Sequence, residues 1–469
     1  MNSYPWFVPI SRAFLVAAVI LSVSASASGE WKEKVLYSFK GGTDGWLPQG
    51  GVVFDSVGNL YGTTSRSGSE GCPLSGCGTV FEISPSKKGG AWTETTLYTF
   101  QGISGSKTDG AVPVGGVIID EQGNLYGTTG YGGNGPCKLS GSTTGCGIVY
   151  ELSPPTQQGG QWTYTILYNF QGGKDGQFPW GNLLFDKKGN LYGATQFGGG
   201  KGTTCDPFYP YCGTVFRLAP PTQNGSAWTE KVLHSFKGGN KGKRDGEGSE
   251  PNGGLALGSS DAIYGTTVYG GNEAGGCDGG DGGIGCGTVF ELAPPPKKGG
   301  KWTATVLWRF SGQDGATPTA GPVFDESGNL YGSASAGGNQ GNGGIFELKK
   351  PVGKSQSWNA NVLYLFETGS GGAGPEGSLI LDGSGNLYGT TYYGSGSELQ
   401  GSVFRLNEPH QNSGTWTINY LHGFVKPPDG MFPASGLVFD GSGNLYSTTQ
   451  EGGNGTACGR AGCGGVFEL

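Results

Sequence analysis

Four short sequence signatures each occur seven times in the same order, and this recurrence constrains the fold more than any other feature of the chain. The first runs from a Trp to an aromatic residue, as in Trp31 to Phe39, and the second is an apolar run before an acidic turn, as in Val52 to Asp55. The third is the NLYGTT segment around Tyr61, and the fourth is the GTVFEI segment around Phe81. Each is too short for a helix and rich in β-branched and aromatic residues. The pattern predicts an all-β, seven-bladed β-propeller with four antiparallel strands per blade.

The signatures also predict the strand order. We call the apolar run strand A, the NLYGTT segment strand B, the GTVFEI segment strand C and the Trp-led segment strand D. An unbroken apolar run is typical of a strand buried on both faces, so strand A is placed innermost. One D strand, Trp31 to Phe39, precedes the first A strand, and the last C strand lies at 464–469. We therefore expect the N-terminal strand to complete the seventh blade beside 464–469 and close the ring.

The N-terminal segment has the pattern of an export signal. Arg12 precedes the apolar run from Ala13 to Val23, and an A-x-A motif follows at Ala25 to Ala27. We predict a signal peptide at 1–27, a single propeller domain at 28–469, and no membrane span after cleavage. The net charge of −7 with scattered basic residues disfavours nucleic acid as a partner. We expect a monomer that is secreted, periplasmic or extracellular.

The repeat resembles known propeller units. Strands A to C, with their D-x-x-G-N turn, are similar to the NHL-type unit. The G-N-L-Y-G-T-T and G-T-V-F-E-L segments, with D-G-x-x-P turns, resemble more closely the GloVer-type choice-of-anchor tandem-repeat family, over 31–469. This resemblance implies an exported protein that is usually tethered by a C-terminal sorting segment. It implies no established activity.

Because strand direction alternates, the D-to-A and B-to-C connections share one face, which we call the upper face. All ten cysteines lie in its B-to-C loops, as the pairs Cys72/Cys77, Cys137/Cys146, Cys205/Cys212, Cys277/Cys286 and Cys458/Cys463. An exported protein meets an oxidising compartment, so we predict five disulfides, each within its own loop. Zinc is disfavoured there, because each loop offers two sulfurs and no nearby His. No cofactor and no metal are predicted.

The D-to-A loops on the same face carry a repeated acid at the start of the D-G-x-x-P motif: Asp44, Asp109, Asp175, Asp314 and Asp429. The fourth loop is stretched, and the sixth lacks the Asp. One interpretation is a ring of carboxylates at the channel mouth, able to hold a cation. The favoured interpretation is a set of Asx-type turns, in which Asp-Gly is common.

One position just before the cysteine loops varies within a constant frame, and it is aromatic at Tyr131, Phe197, Tyr269 and Tyr393. Further aromatics on this face are Phe178, Trp180, Phe208, Tyr209 and Tyr211. Exposed together, such rings would form an arc that stacks on sugars or peptide side chains. The alternative is that they pack beneath glycine-rich loops.

No catalytic set is evident from the sequence. His234 and His422 occupy a D-strand position that is Tyr37 or Tyr98 in other units, so they are interpreted as aromatic substitutes. No nucleophile elbow, zinc-protease motif or phosphate loop occurs. We therefore predict a non-catalytic extracellular recognition or scaffold module that binds glycan or protein through its upper-face loops. The alternative is a lyase or hydrolase acting on an extracellular polymer at the channel mouth, with carboxyl groups as acid and base.

Overall fold

The computed structural model describes residues 31–469 except 68–75, 87–89, 105–106, 140–141, 158, 200–211, 224–225, 239–245, 272–276, 278–284, 298, 354–356, 370, 395–399 and 410–413. Residues Trp31–Leu469 form one compact unit. The predicted signal peptide at 1–27 lies outside the described residues.

Seven antiparallel sheets form a ring, and each contains strands A to D in that order. The A strands are Val53–Phe54, Ile118–Ile119, Leu184–Phe185, Ala256–Leu257, Val323–Phe324, Ile380–Leu381 and Val438–Phe439. The B strands are Leu60–Thr64, Leu125–Thr129, Leu191–Phe197, Ile263–Thr267, Leu330–Ala334, Leu387–Thr391 and Leu445–Thr449. The C strands are Thr79–Ser84, Ile148–Ser153, Thr214–Ala219, Thr288–Ala293, Gly344–Lys349, Ser402–Asn407 and Gly465–Glu468.

The D strands of blades one to six are Thr93–Thr99, Thr163–Asn169, Thr229–Ser235, Thr303–Arg309, Asn359–Leu365 and Thr417–Gly423. Shorter pieces are the pairs Ile103–Ser104 with Lys107–Thr108, Gly110–Ala111 with Tyr131–Gly132, Lys138–Leu139 with Ser142–Thr143, and Gly430–Met431 with Glu451–Gly452. Gln177–Pro179 extends the third sheet, and Gly459–Ala461 is a 3-10 helix. The predicted seven-bladed propeller is confirmed.

The seventh blade takes its D strand from the N-terminal segment. Lys34–Ser38 pairs antiparallel with the last C strand, with Lys34 opposite Glu468 and Ser38 opposite Gly465. The Lys34 ammonium lies 3.3 Å from the Glu468 carboxylate. The predicted ring closure is confirmed, and it removes the two unpaired edges that the half-blades would otherwise expose.

The burial of the strands differs from expectation. Strand A is innermost as predicted, but its two residues are half-buried in every blade, as at Val53 and Phe54. Strand B is the fully buried one, as in Leu60–Thr64. The reason is that strand A is an edge strand facing the axis, whereas strand B has a paired strand on each side. The central glycine of strand B allows close packing: a Cβ at Gly62 would lie 2.5 Å from the Phe81 ring.

Neighbouring blades are joined through the residue before each upper-face proline. This residue adopts a left-handed conformation in every blade, with φ between 51° and 65°, and it is a glycine only at Gly374. Its amide donates to a carbonyl of the preceding blade, for example from Val112 to Cys77 at 2.8 Å and from Leu47 to Cys463 at 3.2 Å. Non-glycine residues disfavour this conformation, so the backbone is strained at this position. The inter-blade hydrogen bond that the same residue donates offsets the strain.

The outer-strand histidines pack as the tyrosines do. The His422 ring lies edge-on to Phe424 at 4.7 Å, as Tyr98 does to Phe100 at 5.2 Å. Their interpretation as aromatic substitutes agrees with this packing. Across the described part of the chain, no helix has the length and apolar character needed to cross a membrane.

Candidate functional site on the upper face

The two kinds of upper-face loop are joined in every blade. The D-to-A loop pairs with the end of strand B, through bridges such as Trp46 with Arg66 and Ala373 with Tyr393. In every blade, the variable position that precedes the B-to-C loop is the residue at the end of strand B that pairs with the D-to-A loop. The prediction that these loops share one face is therefore confirmed.

Disulfides close the B-to-C loops locally. Cys137 is bonded to Cys146, Cys277 to Cys286 and Cys458 to Cys463, with Cα separations of 5.0, 5.4 and 5.2 Å. Cys77 and Cys212 are also disulfide-bonded, while Cys72 and Cys205 lie outside the described residues. Each described bridge confirms the predicted pairing within one loop.

The repeated acids do not line the channel mouth. Asp109 accepts hydrogen bonds from the Tyr98 hydroxyl at 2.7 Å and from the Gln101 amide at 2.8 Å, and Tyr98 belongs to the outermost strand. The other four acids likewise accept from an amide at the end of a D strand: Asp44 from Lys40, Asp175 from Gln171, Asp314 from Ser311 and Asp429 from Val425. Their placement as a ring at the channel mouth is wrong, because each carboxylate folds back to cap its own turn.

The interpretation as an arc of exposed rings is wrong for Tyr131 and Phe197, where the alternative of packed rings agrees with the structure. Tyr131 and Phe197 are buried, and Phe178 packs between them, with ring centroids 4.8 Å from Tyr131 and 5.8 Å from Phe197. Tyr269 and Trp180 are half-buried. Phe208, Tyr209 and Tyr211 lie outside the described residues. Tyr131, Phe178 and Phe197 pack on one another, because a ring gains more from such packing than from contact with water.

Tyr393 differs from the other members of this set, because 56% of it is exposed. The neighbouring Tyr392 holds it edge-on at 4.8 Å and stacks on Phe432 of the next loop at 4.9 Å. The Tyr392 hydroxyl lies 3.5 Å from the Gln450 side-chain oxygen. We call Tyr392, Tyr393, Phe432, Glu376 and Glu451 the tyrosine patch; it spans blades six and seven.

Two carboxyl groups belong to the tyrosine patch. Burial raises the pKa of Glu376 to about 7, and burial also raises the pKa of Glu451. The pKa of Tyr392 is raised to about 12 by burial first, and then by the charges of Glu376 and Glu451, among others. Both acids therefore lie close to the tyrosine, and Glu376 is substantially protonated near neutral pH.

Sequence reasoning missed Tyr392, Glu376 and Phe432. Glu376 follows the repeated proline, where the other units have Gln49, Val114, Trp180, Asn252, Thr319 and Ala434. Tyr392 stands where they have Ser65, Gly130, Gln196, Val268, Ser335 and Gln450. At these two positions the other units carry varied residues, none of them a tyrosine or an acid, between motifs that repeat. The tyrosine and the acid that stand out there were the signal that could have found the site.

A cavity lies at the A-to-B turns of blades four and five. Its volume is about 290 Å³, and Tyr264, Phe324, Trp358, Asp325 and Lys350 contribute to its lining. The Tyr264–Phe324 edge contact at 5.0 Å recurs as Tyr126–Phe185 at 5.1 Å in another pair of blades. The aromatic lining is thus a repeated packing unit, and the lining includes Gly258, which stands where the other turns have Asp.

Comparison with known proteins agrees with this architecture. The family model of the Gloeobacter/Verrucomicrobia repeat matches residues 277–469. Residues 277–469 of the propeller are therefore similar to that repeat, and the resemblance noted in the sequence is confirmed over these residues. No curated protein matches the chain in sequence.

Solved structures resemble this repeat propeller at low identity. A Bacteroides uniformis protein provisionally named a 6-phosphogluconolactonase is 11% identical over 83% of this chain and 88% of its own, with a TM-score of 0.46. A Trichoderma reesei protein of carbohydrate-active enzyme family AA12 is 12% identical over 94% of this chain and 96% of its own, with a TM-score of 0.41. The PQQ domain of Coprinopsis cinerea pyranose dehydrogenase is 11% identical over 94% of this chain and 98% of its own, with a TM-score of 0.40. None of these likenesses bears on a ligand or activity here.

Proposed function

We propose that this protein is a non-catalytic extracellular recognition module that binds a glycan at the tyrosine patch. The observation that carries the proposal is the 56% exposure of Tyr393 on a face whose other framework aromatics are buried or half-buried. An exposed ring that a second ring holds in place from the side offers a surface on which a ligand can stack.

The chemistry of the patch favours a sugar. A pyranose ring offers an apolar C–H face to an aromatic ring and hydroxyl groups at its edge. The carboxyl groups of Glu376 and Glu451 lie beside the aromatic cluster and accept hydrogen bonds from hydroxyls. A protonated Glu376 can also donate one. This combination of one ring face with polar groups at its edge suits a glycan better than a flat protein surface.

The scaffold supports a preformed site. The amide of Ala373 donates to Tyr393 at 2.8 Å and the amide of Tyr393 returns a bond to Ala373 at 2.9 Å, so the backbone at the patch is fixed. The stacking of Tyr392 on Phe432 limits the freedom of the second ring. Little ordering is then needed on binding, which preserves affinity.

The test is a glycan array with the purified protein, followed by titration of each hit. Tyr393→Ala should weaken binding about tenfold or more, since a stacking contact and its buried area together contribute about 1.4 kcal/mol. Glu376→Gln should weaken it by a smaller factor. Tyr269→Ala, the same framework position in blade four, is the matched control and should bind as the wild type does.

Other outcomes would contradict the proposal in distinct ways. Wild-type affinity in Tyr393→Ala would place the site elsewhere. Cleavage products that disappear in Glu376→Gln would favour the alternative of a hydrolase or lyase, with the two carboxyl groups as acid and base. An absence of glycan hits would leave a protein as the candidate partner and reject the glycan.

A further inference from the structure

Three side chains from distant parts of the sequence converge where blade six meets blade seven. Glu33 lies on the N-terminal segment, His422 on the outer strand of blade six and Asp429 in the loop between the blades. One potential ligand atom from each residue lies within 4.8 Å of the other two. The group combines an imidazole with two carboxylates, so it is more than an acidic cluster.

Two of the three potential ligand atoms at this junction are buried and lack hydrogen bonds, while Asp429 accepts hydrogen bonds from the Val425 and Gly430 amides. Glu33 Oε1 and His422 Nε2 have no hydrogen-bond partner among the described residues. His422 Nε2 lies 3.4 Å from Asp429 Oδ2, close enough for an ion pair. Buried polar atoms are normally paired, so two unpaired ones facing a third ligand call for an explanation.

The equivalent junction of blades one and two carries tyrosines at two of these three positions. There Tyr98 replaces the histidine and donates to Asp109 at 2.7 Å, while Tyr164 stands where Glu33 does and stacks on Tyr98 at 4.1 Å. The repeat thus has a metal-free solution that leaves Asp109 hydrogen-bonded. The junction of blades six and seven has replaced both tyrosines with metal-ligand types.

We propose that Glu33, His422 and Asp429 bind a divalent first-row transition metal such as Zn²⁺. Imidazole nitrogen and carboxylate oxygen are both zinc ligands, with bonds of about 2.0–2.2 Å. Two ligands on one tetrahedral ion therefore lie about 3.4 Å apart. The 3.4 Å between His422 Nε2 and Asp429 Oδ2 already matches this spacing. The Glu33 ligand atom lies within 4.8 Å of the other two, so it needs to approach by about 1.4 Å at most.

The site has a mechanical consequence for the ring. Glu33 belongs to the strand that completes blade seven, so the metal would fasten the closing strand to blade six. Glu33 and Asp429 both belong to the group whose ligand atoms lie within 4.8 Å of one another. Two carboxylates this close repel one another when ionised, and a bound cation would relieve this repulsion. Metal binding should stabilise the closed propeller.

The test uses the folded full chain after treatment with EDTA and dialysis. Titration with ZnCl₂ by calorimetry should show one saturable equivalent, and Zn²⁺ should raise the unfolding temperature. Glu33→Gln and His422→Tyr should each weaken binding by about tenfold or more, because each removes one of three ligands. His422→Tyr introduces the residue found at Tyr98, so it should still fold.

The matched control is His234→Tyr. His234 lies 3.4 Å from Glu247, but Ala304 stands where Glu33 does, so this junction has only two of the three ligands. The control should bind Zn²⁺ as the wild type does. The proposal is overturned if the wild type binds no Zn²⁺, or if either ligand variant keeps wild-type affinity. Preference for Ca²⁺ over Zn²⁺ would also overturn it, since that implies oxygen ligands without His422.

Discussion

The Thr448 hydroxyl donates a hydrogen bond of 3.0 Å to the Gly50 carbonyl and so joins the seventh blade to the first, across 398 residues of sequence. The same contact links the first blade to the second, where Thr63 donates to Gly115 at 2.9 Å. Ring closure therefore uses the inter-blade contact found within the ring, in addition to the pairing of the N-terminal strand.

The first prediction is that removing this hydroxyl destabilises the ring. Thr448→Val keeps the shape of the side chain but leaves the Gly50 carbonyl without this donor, at a cost of about 1–2 kcal/mol. Urea unfolding measures the change. Thr63→Val is the matched variant away from the closure and should cost a similar amount. If Thr63→Val lowers the free energy of unfolding and Thr448→Val does not, closure of the ring does not depend on the hydrogen bond from Thr448 to Gly50.

The propeller could be predicted because its determinants are local and repeated. Gly62 allows the Phe81 ring to approach strand B, and the same pair of residue types recurs in other blades, as at Gly193 and Phe216. Burial of strand A was overestimated because an apolar run does not reveal whether a strand has neighbours on both sides. That depends on the closed sheet rather than on the strand.

A second prediction concerns the disulfides. Replacing Cys137 and Cys146 together by Ser should lower the free energy of unfolding by about 2–3 kcal/mol, because the loop between them gains freedom mainly in the unfolded chain. Denaturant unfolding of the double variant against the wild type measures it. Peptide mapping without reductant should also find Cys72 with Cys77 and Cys205 with Cys212. Bridges between different loops, or an unchanged stability, would contradict this prediction.

A third prediction follows from Glu230. Burial raises its pKa to about 7, and the Asp175 carboxylate across the junction of blades two and three adds to the rise; Tyr168 also lies near both acids. A raised pKa means that the folded state prefers the protonated form. This contribution to stability is present below about pH 4.5 and is lost as the pH rises towards 7.

Glu230→Gln removes that ionisation. The variant should match the wild type in unfolding temperature at pH 4 and exceed it at pH 8. Glu121→Gln changes an exposed acid in a turn and serves as the control. A difference between Glu230→Gln and wild type that is independent of pH would show that burial of the charge does not matter here.

The candidate site was only partly predictable. Tyr131, Phe197 and Tyr393 occupy the same framework position, yet the first two are buried and the third is exposed. Their burial depends on Phe178, which lies in another loop and packs on both rings. Near Tyr393 the left-handed position is Gly374, which offers no side chain to cover the ring. The residue type at this framework position therefore does not determine how exposed its ring is, because the residue that covers the ring comes from a different part of the repeat.

The final prediction tests that glycine. Gly374 has φ of 65°, and a Cβ there would lie 3.3 Å from the Tyr393 ring. Gly374→Ala should lower the free energy of unfolding by about 1 kcal/mol, because alanine resists a left-handed backbone. It should also displace the Tyr393 ring and weaken any glycan bound at the tyrosine patch. Gly383→Ala is the control, since that glycine has no positive φ and no atom within 4 Å of its Cβ position.

Denaturant unfolding and glycan titration of both variants separate the effect on stability from the effect on binding. If Gly374→Ala is less stable but binds normally, strain is confirmed and the ring is not constrained by this residue. If it is as stable as Gly383→Ala, the left-handed position carries no strain and the inter-blade bond alone sets its conformation.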